Sequence, residues 1–119
     1  MTTYALLIYR TAPPTEPIPE LDERQALAGH RALQAEAATR RDLHAVARLD
    51  SPGTARTVRT GASGHEISDG PFIESKEWLV GFYLVDCSDE QQALAHAKLI
   101  CSDPHHVIEV RPVQWRWRE

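Results

Sequence analysis

Residues 80–87 read Val-Gly-Phe-Tyr-Leu-Val-Asp-Cys, and this stretch is the strongest predicted strand of the chain. It is apolar and of strand length, well short of the ~20 residues that a membrane-spanning helix needs. Ser88, with Gln91 three residues later, has the pattern of a capping box, which predicts that a helix begins there. The predicted core face of this helix comprises Ala93, Leu94, Ala97, Ile100 and Cys101. The helix should end at Ser102-Asp103-Pro104, and residues 107–113 form the last predicted strand.

Upstream of this strand, the sequence predicts a strand, a helix, a second strand and a hairpin. Residues 4–9 form the first strand, and a proline-rich connector over residues 11–19 separates it from a helix over residues 21–40. Residues 43–49 form the next strand, and residues 54–68 have the pattern of a hairpin with a glycine-containing turn. One helix face carries apolar residues and His30 at helical spacing: Ala26, His30, Leu33 and Ala37. A second face, lined by Ala28, Ala32 and Ala35, predicts that the helix is covered on more than one side.

The order of these elements predicts the fold class. Strand, helix, strand with a hairpin, strand, helix and strand is the α+β, ferredoxin-like split βαβ plan with an extra hairpin. The 119 residues fit a single domain over residues 1–119. Helices cover one face of such a sheet, so the other face needs a partner. We therefore expect a homodimer in which two sheets pack face to face, as in a dimeric α/β barrel.

Composition and charge argue against several classes of partner. Thirteen Lys and Arg against 17 Asp and Glu give a formal net charge of −4, so a nucleic-acid partner is not expected. The alternating Trp115-Arg116-Trp117-Arg118 is predicted to be an edge strand or a tail that packs across the dimer. No membrane-spanning segment or signal peptide is apparent. Cys87 and Cys101 are too few for a disulfide framework, so we expect a cytoplasmic protein with buried, reduced thiols.

A nine-residue segment carries a family resemblance. Asp69-Gly70-Pro71-Phe72-Ile73-Glu74-Ser75-Lys76-Glu77 resembles the hallmark of the DGPF branch of the YCII-related family. Residues 4–9, 54–59, 81–86, 90–97 and 110–113 are similar to that family too, so the resemblance covers nearly the whole chain. It implies a dimeric ferredoxin-like fold. Most members have no assigned activity, although some relatives resemble small-molecule lyases, the fold is similar to that of muconolactone isomerases, and some DGPF domains occur beside sigma factors.

The resemblance also implies a histidine–aspartate site formed by His30 and Asp103. Histidine titrates near neutral pH and suits proton transfer, and a carboxylate orients and stabilises such a ring. The alternatives are that His30 is a core or interface residue whose ring is satisfied by a carbonyl group, and that Asp103 only ends the second helix in a Ser-Asp-Pro turn. Asp69, Phe72 and Lys76 are the predicted substrate-binding residues at the pocket edge. Here the alternatives are a turn cap for Asp69, a core or interface anchor for Phe72, and a solvated charge for Lys76.

The sequence leaves two functions open. The first is a cofactor-independent lyase or isomerase that binds a small hydrophobic or anionic ligand and moves a proton. The second is a non-catalytic dimeric accessory or sensor domain that acts with a regulator such as a sigma factor. No metal site is expected, because the HExxH and paired CxxC spacings do not occur.

Overall fold

A computed structural model describes residues 1–13, 15–72 and 76–117 of the chain. Within these ranges the predicted order of elements is confirmed. The structure contains β1 (Thr2–Arg10), α1 (Glu20–Thr39), β2 (Leu43–Arg48), β3 (Arg56–Gly61), β4 (Gly64–Asp69), β5 (Trp78–Cys87), α2 (Glu90–Ile100) and β6 (His106–Pro112). A short 3₁₀ turn, Pro52–Thr54, precedes β3. None of the described helices has an apolar stretch long enough to cross a lipid bilayer.

Four strands form one antiparallel sheet in the order β2-β5-β1-β6. This order, with α1 and α2 as the two connections, is that of the ferredoxin-like α+β fold and confirms the predicted fold class. Strands β3 and β4 pair only with each other and form a separate two-stranded hairpin, in register from Arg56–Asp69 to Gly61–Gly64. The dimeric closure into a barrel stays a prediction.

The core lies between the two helices and one face of the sheet. Alternate residues of β1 and β5 point into it, as the two-residue period of a strand requires. The buried core side chains are Tyr4, Leu6, Ile8, Tyr83, Val85 and Cys87 from the sheet and Leu33, Ala37, Ala93 and Ile100 from the helices. The second, alanine-lined face of α1 is exposed in this chain. The prediction that α1 is covered on more than one side is therefore wrong for the single chain.

Helices α1 and α2 approach each other closely at Gly29. A Cβ atom at this position would clash with the carbonyl oxygen of Leu99. Glycine therefore permits a helix–helix contact that any side chain would obstruct. The contact also fixes the position of His30, the next residue of α1.

The start and the core face of α2 differ from their predictions. The N-cap is Asp89, whose side chain accepts the backbone N–H of Gln92 at 2.8 Å. The capping pattern is thus one residue later than predicted from Ser88 and Gln91. The buried α2 residues are Ala93, His96, Ala97 and Ile100, whereas Leu94 and Cys101 are exposed. Three of the predicted core residues are therefore confirmed, and the buried face extends toward His96 rather than toward Leu94 and Cys101.

Both cysteines are free, as predicted. Cys87 is buried as expected, and burial raises the pKa of its thiol to about 11. A thiol with that pKa is not a nucleophile at neutral pH. Cys101 is exposed, so its predicted burial is wrong.

Candidate functional site

A polar contact inside the core joins Tyr83 of the sheet to helix α1. The Tyr83 hydroxyl lies 2.8 Å from Nδ1 of His30, and the Gln34 amide nitrogen donates to the same hydroxyl at 3.0 Å. The imidazole and phenol rings are nearly parallel, inclined by 4°. Tyr83 is only 1% exposed, and a buried hydroxyl needs hydrogen-bonding partners. His30 and Gln34, one helical turn apart, supply both.

The surroundings of His30 keep its ring neutral at neutral pH. Burial lowers the pKa of His30 because it disfavours the charged form, and nearby His106 lowers it too. Asp103 raises this pKa and Arg48 lowers it, so that the pKa lies below its ordinary value. Burial raises the pKa of Tyr83 by more than the hydrogen bond from Gln34 lowers it. The pair is therefore a neutral imidazole and a protonated phenol.

Asp103 places a nearly enclosed carboxylate in the turn between α2 and β6. Its side chain is 1% exposed. The two carboxylate oxygens lie 3.0 and 3.1 Å from Nδ1 of His106. Oδ1 also accepts the backbone N–H of His105 at 2.7 Å. Asp103 thus stabilises the turn and orients the ring of His106.

Within the described residues, no hydrogen bond connects His30 with Asp103. His30 is bonded to Tyr83, whereas Asp103 is bonded to His105 and His106. Asp103 acts on His30 through its charge, which raises the pKa of the ring. Asp103 does not bond to His30 because the turn in which it lies places its carboxylate beside the ring of His106, three residues later in the chain.

A second histidine–aspartate pair lies beside the first. Nε2 of His105 is 2.9 Å from Oδ2 of Asp22, and each side chain is 26% exposed. The carbonyl oxygen of His105 accepts the backbone N–H of Thr11 at 2.8 Å. These contacts tie the first turn of α1 and the end of β1 to the turn before β6. They hold together the elements that carry His30 and His106.

Comparison with known proteins identifies the family of this chain. The model of the YCII-related domain matches residues 4–118. The chain belongs to the YCII-related domain family. An uncharacterised protein of Rhizobium meliloti (strain 1021) is 35% identical over 112 residues, which cover 92% of this chain and 90% of that protein. The predicted family is confirmed, whereas the DGPF branch stays a prediction.

In this YCII-related chain the three predicted pocket-edge residues lie on or just after the hairpin. Asp69 pairs with Arg56 across the hairpin, and its side chain is 87% exposed. Lys76 is exposed. Within the described residues, none of the three has a hydrogen bond, ion pair or ring contact with His30. Their role in binding a substrate stays a prediction.

Phe72 is not part of the core of the YCII-related chain. It is 62% exposed, and the guanidinium carbon of Arg59 lies 4.5 Å from its ring centroid. The core alternative for Phe72 is therefore wrong, while the interface and substrate alternatives stay predictions. Phe72 lines a cavity of about 700 Å³ together with Tyr9 and Trp78. This cavity has a predominantly apolar lining.

A further polar cluster lies at the other end of the sheet. Asp86 accepts a hydrogen bond from the Thr3 hydroxyl, and its Oδ2 is 2.8 Å from Nε2 of His44. Arg116 contacts both Thr3 and His44. Burial alone would raise the pKa of Asp86, but the hydrogen bonds from Thr3 and His44 and nearby positive charge lower it. The cluster fastens the C-terminal segment to β1 and β2.

Metal binding has no support from the part of the chain that the structure describes. Its His, Cys, Asp and Glu side chains form no group of three or more that is arranged to hold an ion. The expectation of no metal site stays a prediction.

Sequence reasoning missed Tyr83, Gln34 and His106. Tyr83 offered a signal, because a tyrosine within an otherwise apolar strand must find a partner for its hydroxyl. Asp103 and His106 offered another, since their three-residue spacing suits a turn in which the carboxylate reaches the ring. Gln34 offered none, since polar residues on a helix are usually solvated.

Proposed function

We propose that this YCII-related chain is an enzyme that transfers a proton on a small hydrophobic or anionic molecule, as a lyase or an isomerase. The observation that carries this proposal is the neutral, half-buried His30, bonded to Tyr83 and within electrostatic reach of the enclosed Asp103. A neutral imidazole can accept or donate a proton near neutral pH. Burial and a hydrogen-bonded partner together hold its ring in one orientation.

The first test is an NMR titration of the six histidine rings with a library of phenols and carboxylic acids. A ligand that binds this site should shift the ring signals of His30 and His106 and leave His65 unchanged. His65 is the internal control because it lies on the exposed strand β4. His30 signals that respond to no compound would identify a packed structural residue and remove the support for an enzyme.

A matched variant separates binding from chemistry. His30→Gln keeps a polar side chain beside Tyr83 but cannot carry a proton. It should abolish turnover of any substrate found in the library. His65→Gln should leave turnover unchanged. Equal activity of the two variants would contradict the proposal.

We also propose that the active protein is a homodimer formed through the helix-free face of the sheet. Paired apolar residues of β1 and β5 lie on that face: Ala5 with Leu84 and Leu7 with Phe82. The hairpin carries a second apolar pair, Val58 with Ile67, whose side chains are 62% and 72% exposed. An isolated two-stranded hairpin is marginal in water, so contact with a second copy would stabilise it. Light scattering at micromolar concentration should give twice the mass of the chain, and a monomer would contradict this.

A further inference from the structure

The cavity of about 700 Å³ that Phe72 lines lies on the helix-free face of the sheet, where β1 ends and β5 begins. Tyr9 is on this face because every second residue of β1 from Ala5 onward is. It pairs with Leu79, and both residues line the cavity. His30 lies on the other side of the sheet, where it is bonded to Tyr83 in the core. The cavity is therefore separate from the site of the proposed function.

A β-bulge in β5 forms part of the floor of this cavity. Ile8 pairs with Gly81, whereas the next residue of β1, Tyr9, pairs with Leu79. Val80 is thus an extra residue in β5, and it packs against the core. Without the bulge, Leu79 would point toward the helices, because successive residues of a strand point to opposite faces. The bulge therefore places an apolar side chain beside Tyr9 on the helix-free face.

Two segments form the walls of the cavity, and backbone hydrogen bonds attach both to neighbouring strands. After β2, the N–H of Leu49 donates to the carbonyl oxygen of Val80 at 2.9 Å. After β4, the N–H of Gly70 donates to the carbonyl oxygen of Ala55 at 2.8 Å. Gly70 has a φ of +90°, which glycine adopts without strain, and it directs the chain into Pro71. The walls are thus largely preformed, as is usual for small-molecule sites.

Phe72 adds an aromatic side chain that is held from outside the cavity. The guanidinium group of Arg59 stacks on its ring, and a cation in that position is attracted by the ring face. Arg59 belongs to β3 and is not among the described residues that line the cavity. Phe72 is mostly exposed to solvent in the single chain. An exposed aromatic ring that is held in the same cavity as Tyr9 and Trp78 is typical of a binding surface.

The charges around the cavity argue against anionic ligands. Among the described residues that line it, Asp50 and Glu77 are acidic and none is basic. Burial raises the pKa of the Tyr9 hydroxyl, and Glu109 and Glu77 raise it further, although Arg111 lowers it. A carboxylate or phosphate in the cavity would therefore meet like charges. The aromatic side chains favour a flat ring, with which they can pack in stacked or edge-to-face geometry.

We propose that this cavity is a binding site for a small aromatic compound that carries no negative charge. This inference goes beyond the proposed function, because it concerns a second site on the opposite side of the sheet. The volume of the cavity lies within the range of about 300–1,000 Å³ that is usual for small-molecule sites. Pro71, Phe72 and Glu77 belong to the nine-residue segment that carries the family resemblance. The proposal gives these three residues a common task, which is to form the site.

Fluorine NMR of the full-length protein labelled with 5-fluorotryptophan tests the proposal. Of the three tryptophans, Trp78 lines the cavity, whereas Trp115 and Trp117 lie in the exposed C-terminal segment. The probe 2-naphthol, which is uncharged at neutral pH, should shift the Trp78 signal saturably and leave the other two in place. The probe 2-naphthoate has the same rings and a negative charge, and it should bind at least about tenfold more weakly. Equal affinities, or an unchanged Trp78 signal, would overturn the proposal.

A substitution in the lining tests the contact with the ring of the ligand. Phe72→Leu should weaken the binding of 2-naphthol about three- to tenfold, which corresponds to the usual contribution of an aromatic pair. The urea midpoint should not change, because Phe72 is exposed. Trp115→Leu replaces another exposed aromatic side chain and is the matched control, which should bind 2-naphthol like the wild type. Equal affinities of the two variants would overturn the proposal.

A substitution outside the lining tests whether the ring of Phe72 is held in place for binding. Arg59→Gln removes the cation from that ring and should weaken the binding of 2-naphthol about two- to fivefold. Arg24→Gln is the matched control, because Arg24 is an exposed arginine of α1 that pairs with Glu20. It should leave the affinity unchanged. Unchanged affinity in Arg59→Gln would overturn the role of Arg59.

A second copy of the chain is the competing occupant, because the cavity lies on the face through which we propose that the homodimer forms. In that case 2-naphthol would bind only by separating the two copies. Light scattering at saturating 2-naphthol would then show a mass that falls toward that of one chain, and this result would overturn the proposal. A ligand site predicts an unchanged mass. Since His30 lies on the other side of the sheet, failure of 2-naphthol to bind would leave the proposed function unaffected.

Discussion

Two histidine–aspartate pairs lie side by side at the start of β6, and they differ in the burial of their carboxylates. The side chains of Asp103 and His106 are 1% and 18% exposed, whereas those of His105 and Asp22 are each 26% exposed. Asp103 is three residues from His106, while Asp22 is 83 residues from His105. The enclosed pair stabilises a turn and orients a ring, and the exposed pair connects distant elements. The same two residue types thus have different tasks according to the water around them.

The largest expected effect separates the two pairs by their contribution to stability. Asp103→Ala should lower the free energy of unfolding by about 3 kcal/mol, because it leaves the His105 backbone N–H and the His106 ring N–H without their buried acceptor. Asp22→Ala should cost at most about 1 kcal/mol, because solvent already screens that pair. Urea unfolding at neutral pH measures both values. Equal losses would show that burial does not distinguish the pairs.

The next effect tests how the helix contact positions the enclosed site. Gly29→Ala places a methyl group against the Leu99 carbonyl oxygen and should cost about 1–3 kcal/mol. It should also shift the ring signals of His30. The free energy of unfolding should fall even though the helix propensity of alanine exceeds that of glycine by about 1 kcal/mol.

Ala28→Gly is the matched control for the Gly29 variant. Ala28 is exposed, so this change should cost about 1 kcal/mol through helix propensity alone. The His30 signals should stay in place. A stabilising Gly29→Ala change would contradict the close approach of α1 and α2.

The third prediction concerns how the buried histidine rings make the stability of the protein depend on pH. Burial lowers the pKa of His30 and of His96 below the value of 6.5. The unfolded chain therefore binds more protons than the folded chain once the pH falls below about 6.5. The free energy of unfolding should therefore be constant with respect to these two rings above that pH. It should decline as the pH falls toward the lower pKa values that the rings have in the folded chain. Urea unfolding at a series of pH values measures this decline.

A variant assigns part of that decline to His96. His96→Gln should reduce the slope of stability against pH just below 6.5. The contribution of Asp86, whose pKa is also lowered, is lost only below its ordinary value of 3.8 and leaves that window unaffected. A slope identical to wild type would mean that His96 titrates alike in the folded and unfolded states.

The smallest effect concerns the hairpin. Ile67→Ser removes an exposed apolar side chain and should change the stability of the single chain by less than about 0.5 kcal/mol. If the hairpin meets a second copy, the same change should weaken self-association in dilution experiments. A large loss of stability without a change in mass would place Ile67 in the core instead.

The fold was predictable because its signals are local. The apolar run of β5, the proline connector and the glycine turn between β3 and β4 each determine the conformation of a few neighbouring residues. The site was only partly predictable, because a sequence shows which residues can transfer a proton but not their neighbours in space. His30 was found by its position on an apolar face. Its partner Tyr83, 53 residues away, depended on how α1 packs on the sheet.

The errors in α2 have the same origin. Asp89 and Ser88 are both good N-cap residues, so the local pattern left the first residue of the helix open by one position. Ala93, Ala97 and Ile100 are buried as predicted, but His96 is buried at one border of that face, while Leu94 and Cys101 at the other border are exposed. Local pattern therefore predicted that a helix exists there, while tertiary packing selected its face.

The central position of β1 in the sheet affects how the protein forms during translation. Tyr4 pairs with Val85 on one side and with Pro112 on the other. β1 can therefore pair on both sides only after β5 and β6, which lie far along the chain, have been synthesised. Pairings between such distant segments slow folding and leave apolar strand edges open in the meantime. A pause in translation before residue 78 should therefore prolong the time for which both edges of β1 stay unpaired.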